Sequence, residues 1–220
     1  MQLRSIITAA VSAVAVVSAD AAVIMTGIVD GTLSGGNPKA IELYIDGTED
    51  LSSYTLERSS NGGTFGSSFA LSGIYTDTFV YLIGTGNGGV AAFDNVFGTT
   101  GIFANRITSG NVNGNGNDGF RLLSGAVVVD TFGNPGDVSA NGDYSAPWAY
   151  QDSFAYRVDD TGPDGGFVLA NWSFEGNGAL NGLSAAQHNA AVPFGTYAIP
   201  EPTSLSLLGL GAMGLIRRRK

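Results

Sequence analysis

Ala40-Ile41-Glu42-Leu43-Tyr44-Ile45 decides the fold. Ile41 and Leu43 alternate with Glu42 and Tyr44, the period-2 pattern of a strand with one face on a core. Asp46-Gly47 follows as a turn signal. On this reading Glu42 faces solvent and carries no catalytic role. Outward from this stretch, short runs of β-branched and aromatic residues recur between clusters of Gly, Asn and Ser. They predict strands over 22–29, 53–58, 64–71, 78–83, 119–123, 126–132, 154–158 and 193–198. No apolar stripe of helical period lasts beyond about two turns. The fold class expected is all-β, an antiparallel sandwich or barrel.

The two ends have a different character. Arg4 provides a positive start, Ile6 to Val17 an apolar run, and Ala19-Asp20-Ala21 an A-x-A pattern. Together these are the parts of a secretory signal peptide, with cleavage expected after Ala21 or, as the alternative, after Ala19. At the other end Pro200-Glu201-Pro202 interrupts helix and ladder alike, because two prolines remove two backbone donors. Leu205 to Ile216 is apolar, and Arg217-Arg218-Arg219-Lys220 resists translocation. As a helix that apolar run is about 18 Å long, against a hydrocarbon core of about 30 Å, which is short for a permanent anchor. The chain therefore divides into a signal peptide at 1–21, a β domain at 22–199 and a C-terminal signal at 200–220.

The order of parts at the C-terminus resembles the bacterial PEP-CTERM sorting signal. The resemblance implies recognition of Pro200, Glu201 and Pro202 by an exosortase, with Arg217, Arg218, Arg219 and Lys220 as the cytoplasmic stop. It further implies transient insertion in the inner membrane, and the cell surface or extracellular matrix as the destination. A second resemblance covers roughly 22–135. The segments 22–29, 40–45 and 50–56 look like the opening strands of a lamin-tail domain, 77–83 like its middle strand, and 117–133 like its closing hairpin. Where that family has an aromatic residue before the Ile-Glu-Leu-Tyr run, this chain has Ala40; where it has Gly-Trp, this chain has Ser53-Tyr54. Residues 156–157, 170–172 and 178–181 look like the extension of bacterial lamin-tail proteins. The implied fold is an immunoglobulin-like β-sandwich, and the implied role is binding or scaffolding rather than chemistry.

Composition bounds the partners. Without its ends the chain keeps only Lys39, Arg58, Arg106, Arg121 and Arg157 as cations, and its net charge is about −12. Such a surface repels nucleic acid. There is no cysteine, so disulfides and thiolate metal sites are excluded.

Several motifs invite sharper readings. Gly84-Thr-Gly86-Asn-Gly-Gly89 has the G-x-G-x-x-G form and follows an apolar strand. Only eight residues separate it from Gly98, and no acid follows at the spacing a ribose requires, so a flexible loop is expected. Asn111 to Gly119 alternates oxygen-bearing side chains, but an EF-hand starting at Asn111 would place Leu122 where a bidentate Glu belongs. A turn is the better reading, and Asp118 is kept as a calcium candidate; no other cofactor is expected. Asp159 to Asp164 reads as a solvated acidic turn. The single histidine, His188, is expected at the surface, which leaves no base for a nucleophile. Trp148, Tyr150, Phe154, Tyr156 and Trp172 are expected to close the core rather than to stack on sugars. The sum is a non-catalytic exported surface or matrix protein whose partners are an exosortase and the export machinery, with exopolysaccharide or surface proteins as further partners. The alternatives are a secreted polysaccharide- or calcium-binding module and a carboxylate-dependent hydrolase.

Overall fold

Strand β2 (Asn37–Asp50) is the axis of the larger of two sheets, with β1 (Ala22–Leu33) on one side and β5 (Ile74–Gly84) on the other. The computed structural model describes residues 21–199. Both pairings are antiparallel, and their registers align Met25, Leu43 and Val80 in one row and Gly27, Glu42 and Tyr81 in the next. The other strands of this sheet are β6 (Arg106–Ser109) beyond β5, then β9 (Phe154–Arg157) and β10 (Trp172–Phe174) beyond β1. The second sheet runs in the order β4 (Ser67–Ala70), β3 (Tyr54–Ser59), β7 (Gly119–Ser124), β8 (Val127–Phe132).

The sheets meet over a core drawn from both, including Met25, Ile41, Leu43, Leu56, Leu82, Phe120, Leu122 and Phe132. Trp148, Tyr150 and Trp172 close it, with Phe132 at 4.7 Å from the Trp172 ring centre and 5.4 Å from that of Tyr150. Phe154 and Tyr156 are also buried, so all five aromatics serve packing as the sequence indicates. A charged clamp joins the layers. Arg157 of β9 donates from Nη2 to both oxygens of Asp130 on β8, at 2.7 and 2.8 Å, and neither side chain is exposed. Asp130 also accepts from the backbone N–H of Met25 and Asp164, and Arg157 lies 4.6 Å from the Trp172 ring centre. With those lone pairs occupied, the pair is tolerable in a dry interior.

Three expectations change. The sandwich is not purely antiparallel, because β5 and β6 pair in parallel. Their connection holds a helix, α1 (Gly89–Phe97), so Gly84 to Gly89 is a strand-to-helix turn rather than a flexible loop. Val90, Phe93 and Phe97 fall at helical spacing, and the helix lays that stripe on the outer face of the larger sheet. The second correction concerns Ala185 to Asn189, which belongs to helix α2 (Ala185–Ala191), started by a reciprocal Ser184–Gln187 capping box. His188 on it is fully buried, not superficial: its Nδ1 donates to the Ser184 carbonyl at 3.0 Å and its Nε2 accepts from the Thr32 N–H at 3.3 Å.

The third correction follows from the first two. Both faces of the larger sheet are covered, one by the second sheet and the other by α1, α2 and the segment 192–199. Glu42 is therefore inside, with no exposed surface, instead of facing solvent. Among the described residues no helix is long and apolar enough to cross a membrane. The C-terminal apolar run expected to form a sorting helix lies outside the described residues.

Candidate functional site: the seat of the C-terminal strap

Four adjacent strands place Tyr156, Gly27, Glu42 and Tyr81 in one row across the outer face of the larger sheet. Gly27 makes the row usable. A side chain there would lie 2.6 Å from Phe194 and 2.9 Å from Tyr156, so its absence lets Phe194 seat on the sheet between the polar ends of its neighbours. Thr26 is the extra residue of a bulge between Met25 and Gly27, and this places its hydroxyl on Glu42.

Glu42 is held by three donors. Oε1 accepts from Thr26 Oγ1 at 2.7 Å and from the Tyr156 hydroxyl at 3.0 Å, and Oε2 accepts from the backbone N–H of Gly195 at 2.5 Å. The Tyr156 hydroxyl in turn accepts from the N–H groups of Thr196 at 3.2 Å and Tyr197 at 2.8 Å. Burial pushes the Glu42 carboxyl up to about 7, against the opposing pull of these hydrogen bonds. Burial and the neighbouring Glu42 raise Tyr156 and Tyr81 as well, and the buried Tyr81 hydroxyl has no hydrogen-bond partner of good geometry.

The strap, residues 193–199, is thus fastened mainly by side chains. Phe194 packs against Phe97 and Tyr81, with ring centres 5.2 and 5.6 Å away, and remains 5 % exposed. Burying such a ring contributes roughly 2–3 kcal/mol. Farther along, the Tyr197 hydroxyl donates to the Thr161 carbonyl at 2.6 Å. Ala198 is held at both ends, its N–H donating to Asp159 Oδ1 at 2.9 Å and its carbonyl accepting from the Asp160 N–H at 3.0 Å. The strand expected over 193–198 is absent for this reason: its amides go to carboxylate and hydroxyl oxygens of other elements, and no ladder forms.

The other sequence-derived candidates have structural work to do. Asp118 is buried, and its two oxygens accept from the backbone N–H of Asn61 at 2.9 Å and Asn115 at 3.1 Å. Among the described residues no three His, Cys, Asp or Glu side chains are placed to hold a metal ion. Asn113 enters the turn before α1, where its Oδ1 accepts from Gly86 N–H at 3.3 Å and occupies the space a side chain on Gly84 would need. The glycines there admit the Asn113 side chain. In the acidic turn, Asp164 accepts from Arg157 at 2.9 Å and Asn171 at 2.9 Å, while Asp159 holds the strap. Ala21 is the first described residue and is exposed; Ala19, Pro200, Glu201, Pro202, Arg217, Arg218, Arg219 and Lys220 lie outside the described residues.

Beside the second sheet two shallow clefts of about 370 and 410 Å³ share Phe65, Asn134 and Pro135. Arg121 borders the larger, its guanidinium 4.7 Å from the Phe65 ring centre and its Nε donating to Glu57 at 2.6 Å.

Comparison with known families places the PEP-CTERM protein-sorting motif at residues 198–220. Its match begins at Ala198, the last residue of the strap held by hydrogen bonds from both its N–H and its carbonyl. No curated protein matches the chain.

Proposed function

We propose that the protein is exported through an N-terminal signal cleaved after Ala21 or Ala19, inserted transiently in the inner membrane by its C-terminal segment, and processed there by an exosortase. Pro200, Glu201 and Pro202 form the recognition motif, and Arg217 to Lys220 the cytoplasmic stop. The β-sandwich, of immunoglobulin-like, lamin-tail type, is a non-catalytic binding or scaffolding module delivered to the cell surface or the extracellular matrix. The match of 198–220 to the sorting motif carries this reading. The intact mass of the protein from its host tests it: both ends are expected to be missing. Replacing Pro200, Glu201 and Pro202 by Ala is expected to leave an unprocessed, membrane-retained form, and unchanged processing of that variant would remove the assignment.

The Phe65–Arg121 stack beside two clefts favours a second reading, a module that binds polysaccharide by stacking a sugar face on an aromatic ring. Retardation of the purified domain in a polysaccharide gel, lost in Phe65→Ala, would support it; equal mobility with and without polymer would not.

A further inference from the structure

The strap runs directly into the sorting motif with almost no slack. Ala198 is fixed through both its N–H and its carbonyl, and Ile199 packs on the outer core. Ile199 alone separates Ala198 from Pro200, so the length of the chain keeps Pro200 within about 7 Å of Ala198. That reach is comparable to one headgroup layer, since a bilayer of about 40–45 Å has a hydrocarbon core of about 30 Å. The domain has an expected radius of gyration of about 16 Å, too broad to follow the motif into an enzyme cleft. Freed from its seat, the seven-residue strap would add about 24 Å of extended chain.

We infer that the seated strap limits the reach of the sorting motif that follows it: residues 193–199 leave their seat on the sheet before Pro200-Glu201-Pro202 is presented to a membrane-bound processing enzyme, and the Glu42–Tyr156 latch sets how often that happens. The inference rests on the sorting reading above. Its basis is the way the strap is held. No strand ladder runs through it, and the Tyr156 hydroxyl alone receives two of its amides while donating to the carboxylate that receives a third. One side-chain oxygen thus couples most of the fastening, and removing it loosens the strap without touching a β pairing.

The test is a pulse-chase of the full chain in its own host, following conversion of precursor to processed protein. Four forms are compared: the natural chain, Tyr156→Phe, an eight-residue Gly-Ser insertion between Ile199 and Pro200, and the two combined. Losing the hydroxyl removes three hydrogen bonds, with Glu42 and with the N–H groups of Thr196 and Tyr197, so Tyr156→Phe is expected to be processed roughly ten- to a hundredfold faster. The insertion supplies the missing reach and is expected to match or exceed that gain, and the combination to be no faster than the insertion alone. An unchanged rate in both single variants, or slower processing of Tyr156→Phe, would overturn the inference. Loss of processing in the Pro200, Glu201, Pro202 triple-Ala form shows that the sorting reading holds, so the two failures are distinguishable. Hydrogen exchange on the purified full chain decides independently of any enzyme. The Gly195, Thr196 and Tyr197 amides are expected to open more readily than those of β2, and more readily still in Tyr156→Phe while β2 is unchanged. Exchange of strap and β2 amides at one common rate would mean that the strap leaves only when the domain unfolds, and the inference would fall.

Discussion

The buried carboxyl of Glu42 gives up its proton less readily than an exposed one. Its folded value of about 7 stands above its ordinary 4.5, so the folded state holds the proton more tightly than the unfolded chain does. The stabilisation is complete below about 4.5 and is lost as pH rises through 7, amounting to about 3 kcal/mol over that window. The urea midpoint is therefore expected to fall between pH 5 and pH 8, and Glu42→Gln to flatten that dependence; an equal slope in the Gln variant would place the titrating group elsewhere. Arg157 presents the opposite case. Arg157→Met would strand the Asp130 carboxylate between the sheets, with an expected cost of about 3–5 kcal/mol in denaturant titration. Neither role is readable at the residue itself. Period-2 alternation shows that Glu42 and Ile41 face opposite ways, but not that something covers the Glu42 side, and nothing near Arg157 in sequence names Asp130 as its partner. Among the candidates at this scale, the buried aromatics were the legible ones, because large rings have few other places to go in a chain this size.

Among the elements, α1 and the turn before it offer the sharpest test. Phe93 is fully buried against Tyr81, Phe97 and Phe103, and Phe93→Ala is expected to cost about 3–5 kcal/mol while freeing the strap that packs beside it. If Gly84 is glycine because Asn113 fills its side-chain space, Gly84→Ala destabilises the protein and Asn113→Ala recovers part of the loss; additive costs in thermal melting would argue against that coupling. Most strands were legible from their β-branched and aromatic runs, since a two-residue period and glycine-rich boundaries are local properties. Elements that depend on distant partners were not. Strand β6 pairs in parallel through a crossover, β10 is three residues long, and the strap exchanges a ladder for side-chain acceptors. Helix α2 did have a local signal: Ser184 and Gln187 stand at capping-box spacing.

For the whole molecule, the layering explains how a glycine-rich domain without disulfides keeps its shape: two sheets share one core, and the helices and strap close a second core on the far side. Within it the two Asp118 oxygens accept backbone N–H groups of Asn61 and Asn115. Millimolar calcium is expected to leave the melting temperature unchanged; a rise of several degrees would restore Asp118 as a ligand. The strap gives the same architecture a mechanical property. When the C-terminal end is held and the domain is pulled, load enters at Ala198 and meets the bonds to Asp159 and Asp160, then those to Tyr156, then the one to Glu42, each in turn. Bonds loaded singly yield at lower force than a ladder sheared all at once. The tether would therefore pay out about 24 Å of chain before tension reaches the sheets, and a domain held by that end would ride out a tug without unfolding.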